Sequence, residues 1–150
     1  MKNAWFSISI RRWFFISIVL LGAGCNDNRE ARCKDFDEKY AQLVRKYRGA
    51  NIHDADAALE ELDMLLRKDG QLTYTPIGLQ HERGLVLARR STIHSRLGDE
   101  SGARKFMEQA LPLLGTRESN TNVTPENVVA TINKLEEKSP PKWRQQPTPQ

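Results

Sequence analysis

The stretch that decides the fold is Leu79–Leu114, LQHERGLVLARRSTIHSRLGDESGARKFMEQALPLL. Leu79, Val86, Ile93 and Leu97 recur at steps of seven, seven and four, which places them on one face of a helix. Ala88, Thr92 and Ser95 form a second stripe of small side chains where a neighbour can approach closely. Gly98 ends this helix. Asp99 caps the next one, whose Ala103, Phe106, Met107, Ala110, Leu111 and Leu114 face inward. Pro112 is expected to end or kink it near its last turn. Two helices joined by so short a turn form an antiparallel hairpin.

The same periodicity extends in both directions. Upstream, Cys33, Phe36, Tyr40, Leu43, Val44 and Tyr47 mark the inner face of a first helix closed by Gly49. A second helix is expected over Asp54–Asp69, with Ala55, Ala58, Leu59, Leu62, Leu65 and Leu66 inside. Its acids come early and Arg67-Lys68 late, matching the helix dipole, and Gly70 stops it. Thr75-Pro76 reads as an N-cap followed by proline in the first turn of the third helix, expected to run to Leu97. Gly78 and Gly84 weaken the first half of that helix. Downstream, Gly115–Val123 is a polar loop. Thr124-Pro125-Glu126 then opens a last helix by the same device, with Val128, Val129, Ile132 and Leu135 inside. No stretch reads as a β-strand. The expected architecture is all-α: antiparallel helical hairpins over 33–138 with a C-terminal capping helix. A polar tether at 25–32 precedes it and a Pro-rich, disordered tail at 139–150 follows.

Leu97-Gly98-Asp99, followed by Ala103, Phe106 and Ala110-Leu111, resembles the turn and second helix of a tetratricopeptide repeat. Ala57-Ala58-Leu59 with Leu62, Leu65 and Leu66 is a degenerate echo. In that family glycine takes a left-handed conformation at the turn, and small alanines sit where paired helices meet. The resemblance covers about 30 residues, Gly84 to Leu114. Arg90 stands where the family has Leu, and Gly115 where it has a closing Pro, so a generic helical hairpin is the competing reading.

At the other end of the chain, Lys2, Arg11 and Arg12 precede the apolar run Trp13–Gly24. The run suits the core of an export signal and is shorter than the roughly 20 residues a bilayer span needs. Extending it back to Ala4 would bury Arg11 and Arg12 at about 2.5–3.5 kcal/mol each. Leu21-Gly22-Ala23-Gly24-Cys25 resembles the bacterial lipobox, with Leu one position further from the cysteine than usual. The resemblance implies a signal peptide at 1–24 and a lipid-modified Cys25, carrying palmitate-type acyl chains, as first mature residue. It also implies membrane attachment through that lipid. The alternative is an ordinary cleaved signal. Arg11-Arg12-Trp13-Phe14-Phe15 also resembles a twin-arginine export motif, although the strongly apolar run favours the general secretory route. Asn26 does not match the aspartate that retains enteric lipoproteins in the inner membrane. Outer-membrane attachment facing the periplasm is therefore expected, with the inner membrane as alternative.

Charge narrows the function. The chain carries 23 Lys and Arg against 19 acids. Residues 1–24 hold three of the basic residues and no acid, so the remainder is nearly neutral. A nucleic-acid partner is not expected. With Cys25 lipidated, Cys33 is the one thiol left, and no internal disulfide can form. On the apolar face of its helix, it reads as a packing residue.

No constellation points to catalysis, a cofactor, a metal or a small-molecule substrate. His53 sits beside Asp54 and Asp56, but at a helix start where acids belong. His81-Glu82 lacks the second histidine of a zinc helix. Ser91 near His94 lacks a supporting acid. Arg83, Leu87, Arg90 and His94 fall within one narrow helical arc, which would suit an acidic segment of a partner protein; the bland reading of this arc is a solvated face. The expected function is a lipid-anchored, non-catalytic adaptor for an envelope protein, like pilot or accessory lipoproteins of secretion and pilus systems. The alternatives are a passive structural lipoprotein that touches the cell wall through Lys138, Lys142 and Arg144, and a small envelope hydrolase.

Overall fold

Four of the five helices begin where a side-chain oxygen takes an amide that the helix itself cannot satisfy. Asn51 accepts from Asp54 N at 3.0 Å, Thr75 from Gly78 N at 3.2 Å, Asp99 from Gly102 N at 2.9 Å and Thr124 from Asn127 N at 3.3 Å. Pro76 and Pro125 follow two of these caps in the first turn. In this computed structural model the described residues are 27–115 and 123–147. The proposed export signal, Cys25, most of the Gly115–Val123 loop and the last three residues of the tail lie outside them.

The helices are α1 (Asp27–Gly49), α2 (Ile52–Asp69), α3 (Pro76–Arg96), α4 (Glu100–Leu114) and α5 (Pro125–Glu136). Short 3₁₀ turns occupy Gly70–Leu72 and Lys142–Gln145. No strand occurs among the described residues, so the class is all-α. Cross-helix pairs give the directions. Arg32 meets Asp69 and Lys46 meets Glu61, so numbers fall along α2 as they rise along α1. The pairs Asp63–Arg83 and Asp56–Arg90 run the same way between α2 and α3. Gly98, at φ 76°, makes the turn from α3 to α4 in the left-handed conformation glycine tolerates.

α3 is the central helix. One face puts Val86 and Ile93 into a core with Phe36, Leu59, Leu62 and Leu66. Another puts Leu87 and Ala88 against Met107, Ala110, Val128 and Ile132. Each fully buried aliphatic or aromatic side chain contributes about 1.5–3 kcal/mol. Gly84 lets α4 come close: a Cβ there would lie 2.8 Å from Leu114 Cγ. A glycine that weakens the isolated helix thus enables its packing.

Two expectations need correction. Residues 27–32, expected as a polar tether, are the first turns of α1. Pro112 does lie in the last turn of α4, as expected, and the helix ends at Leu114. The tail is the largest departure, because Pro141 and Trp143 are fully buried. Trp143 is 1% exposed and lies against Tyr47, ring centroids 6.4 Å apart, with the guanidiniums of Arg96 and Arg144 at 5.9 and 5.1 Å. One large aromatic holds a polar, proline-rich stretch in place because its ring buries more apolar area than the stretch otherwise offers.

Candidate functional site

The arc Arg83, Leu87, Arg90 and His94 is brought together, but as an internal seam. Leu87 is 3% exposed and packs into the second core. Arg83 Nε donates to Asp63 Oδ1 at 3.0 Å. Arg90 reaches both oxygens of Asp56, at 2.9 and 3.1 Å, and Glu60 at 3.3 Å, with its guanidinium 4.3 Å from the Phe106 ring centroid. His94 bridges Asp99 at 2.7 Å and Asp56 at 3.4 Å. The expected free docking strip is therefore consumed between α2, α3 and the start of α4. The reason is register. Asp56 and Asp63 are seven residues apart, as are Arg83 and Arg90, so two antiparallel helices pair them in sequence. Asp99 is held below the usual carboxylate range by the Gly102 amide and by His94.

A second constellation was not anticipated. Tyr47 Oη donates to Glu136 Oε1 at 2.7 Å, and Arg89 Nε donates to the same oxygen at 3.0 Å. Arg144 Nε stands 2.8 Å from Glu136 Oε2, and its Nη1 donates to Asn133 Oδ1 at 2.7 Å. The Arg144–Glu136 contact is a close ion pair without hydrogen-bond alignment. Arg89 and Glu136 are both buried. Burial pushes the Tyr47 phenol up, and the charge of Glu136 adds to the effect, so the hydroxyl stays a donor. Burial alone would lower the Arg89 value, but Tyr47, Glu136 and Glu82 outweigh it, and the guanidinium stays charged.

Among the described residues three donors at the edge of this knot, Trp143 Nε1 and Arg144 Nε and Nη2, are buried without a hydrogen-bond acceptor. Each such group costs about 1–3 kcal/mol. The signal for the knot was available in sequence. Glu136 stands four residues beyond Ile132 on the inner stripe of α5, and Arg89 stands between Val86 and Ile93.

Both Trp143 and Arg144 line an open groove of about 580 Å³ between α3, α4, α5 and the C-terminal turn. Met107, Leu111, Pro125 and Val129 supply apolar wall; Ser91, Thr92 and Ser95 bring hydroxyls. Arg96, Glu100, Arg104 and Glu108 complete the lining. Arg96 donates to the Gln146 carbonyl, and Arg104 lies between Glu100 and Glu108 on α4. This groove, not the predicted arc, is the concave surface with polar groups to spare.

The remaining candidates carry little chemistry. His53 is exposed at the start of α2, and Cys33 is half-buried with Sγ 3.9 Å from the Leu72 carbonyl. Among the described residues no three His, Cys, Asp or Glu side chains gather as a metal set would. No described helix is long and apolar enough to cross a membrane. No protein-family model, no curated protein and no solved structure matches the chain.

Proposed function

We propose that the chain is a lipid-anchored envelope protein acting as a non-catalytic, protein-binding adaptor at the outer membrane, facing the periplasm. The observation that carries this reading is the segment Arg11–Cys25, with its charged lead, apolar run and small residues before a cysteine. A lipid anchor of two or more acyl chains holds a protein stably where one chain holds it marginally. The body beyond it is a set of stacked helical hairpins with an open groove. Gly98 in the left-handed conformation and the buried Ala103 and Ala110 support reading α3 and α4 as a tetratricopeptide-like pair capped by α5.

A tail-mediated structural role finds less support. Arg144 is engaged by Glu136 and Asn133, and Trp143 is buried beside it, so the segment that would reach out is held against the body. Isolation of the full chain from detergent-solubilised envelope tests the adaptor reading. It is expected to bring down one envelope protein in near-stoichiometric amount, identified by mass spectrometry, and much less of it after Cys25→Ser. A chain that comes out alone contradicts the reading.

A further inference from the structure

We infer that the groove between α3, α4 and α5 binds an extended, acidic stretch of another polypeptide, with one side-chain carboxylate seated at the Trp143–Arg144 end and apolar neighbours along Met107, Leu111 and Val129. The inference rests on the adaptor reading and specifies what the adaptor takes. Charge is the first argument. At that end Arg144 pairs with Glu136, which also holds Arg89 together with the charge of Glu82, and Arg96 has only the neutral Gln146 carbonyl as hydrogen-bond partner among the described residues. Three guanidiniums there face two carboxylates, and a carboxylate from outside offsets the excess carried by Arg96.

Unmet hydrogen bonding is the second argument. Among the described residues Trp143, 1% exposed, has a buried Nε1 without an acceptor, and Arg144 Nε and Nη2 are in the same condition. Both residues line the groove, so a small shift of the C-terminal turn would let an entering acceptor reach donors that are unsatisfied there. A third argument sets direction. Glu100 and Glu108 lie on the α4 side of the groove and outnumber Arg104 between them, whereas the Trp143 end presents Arg96 and Arg144, which favours that end for a carboxylate. Apolar wall and the hydroxyls of Thr92 and Ser95 suit a peptide, with side chains against the wall and backbone polar groups against the hydroxyls.

The test uses the full chain in neutral detergent and a fluorescein-labelled heptapeptide of alternating leucine and aspartate, acetylated and amidated so that only side chains bear charge. Anisotropy is expected to show it binding at least tenfold more tightly than the same peptide with asparagine for aspartate. Arg96→Gln and Val129→Glu are each expected to weaken binding at least fivefold with the circular dichroism unchanged. Two substitutions are used because Arg96 also holds the C-terminal turn, whereas Val129 lies on the groove wall. Equal affinity for the two peptides, no binding, or binding that neither substitution alters would overturn the inference. So would displacement of the peptide by dihexanoyl phosphatidylglycerol at concentrations below those at which the peptide itself binds, which marks a lipid-headgroup site. If the peptide fails while an envelope partner still co-isolates with the chain, the groove assignment falls and the adaptor reading stands.

Discussion

Removing Glu136 leaves Arg89 and Arg144 without their shared counter-charge inside the body. Glu136→Ala is therefore expected to lower the unfolding free energy by about 3–5 kcal/mol in urea titration. Glu137→Ala, at the neighbouring exposed position, should change it by less than about 0.5 kcal/mol. Equal small losses would show that the pairing does not hold the fold. The same knot sets the alkaline limit. Because burial and Glu136 raise the Tyr47 phenol above its ordinary value of about 10, the folded state keeps a proton that the unfolded chain gives up. Stability is full below that pH and declines above it, less steeply after Tyr47→Phe.

Asp99 acts in the opposite direction. Its value is lowered from 3.8, so its cap contributes above that pH and is lost as the pH falls through the lower folded-state value. The melting-temperature gap between the parent and Asp99→Ala should therefore close on acidification below that point. At this scale the sequence was partly legible. Periodicity placed Arg83, Leu87, Arg90 and His94 on one arc correctly. It could not show that α2 brings Asp56 and Asp63 against that arc, since pairing between helices is not a local property. Glu136 and Arg89 lie on apolar stripes of α5 and α3, but their pairing joins two helices and is no more a local property than the seam is.

Helix limits followed local chemistry closely. Thr75-Pro76, Asp99 and Thr124-Pro125 cap as their side chains dictate, and the inner faces named for α2 and α4 are those the core uses. Two elements escaped. The first turns of α1, residues 27–32, are polar apart from Ala31 and carry no stripe to mark them as helix. The C-terminal turn has one aromatic and no period, and it docks through a tertiary contact alone. Trp143→Ala is thus expected to cost about 3–5 kcal/mol in urea unfolding. A change under about 0.5 kcal/mol would mean that the tail is a free arm. Gly84→Ala tests the approach of α4 to α3. A methyl 2.8 Å from Leu114 Cγ forces displacement and should cost about 1–3 kcal/mol, where an open helical site would gain from the same change.

The whole molecule combines the proposed address in the first 25 residues with a helical body that carries one open groove. In the sequence α1 begins two residues after Cys25, so under the proposed reading most of the expected polar tether is helix. The near-neutral charge of the body beyond residue 24 suits that reading, since such a body gains little from anionic headgroups and must rely on the acyl chains. The class of fold was legible because helix period and caps are local signals. The groove was not, because it forms only where α3, α4, α5 and the C-terminal turn meet.

Intact-mass spectrometry of the full-length gene product extracted from membranes tests the central claim most directly. The account predicts a chain beginning at Cys25, heavier than its residues by a diacylglycerol and an amide-linked acyl chain, and the absence of this species after Cys25→Ser. A product that keeps residues 1–24, or one that begins at Cys25 with no added lipid mass, would contradict it.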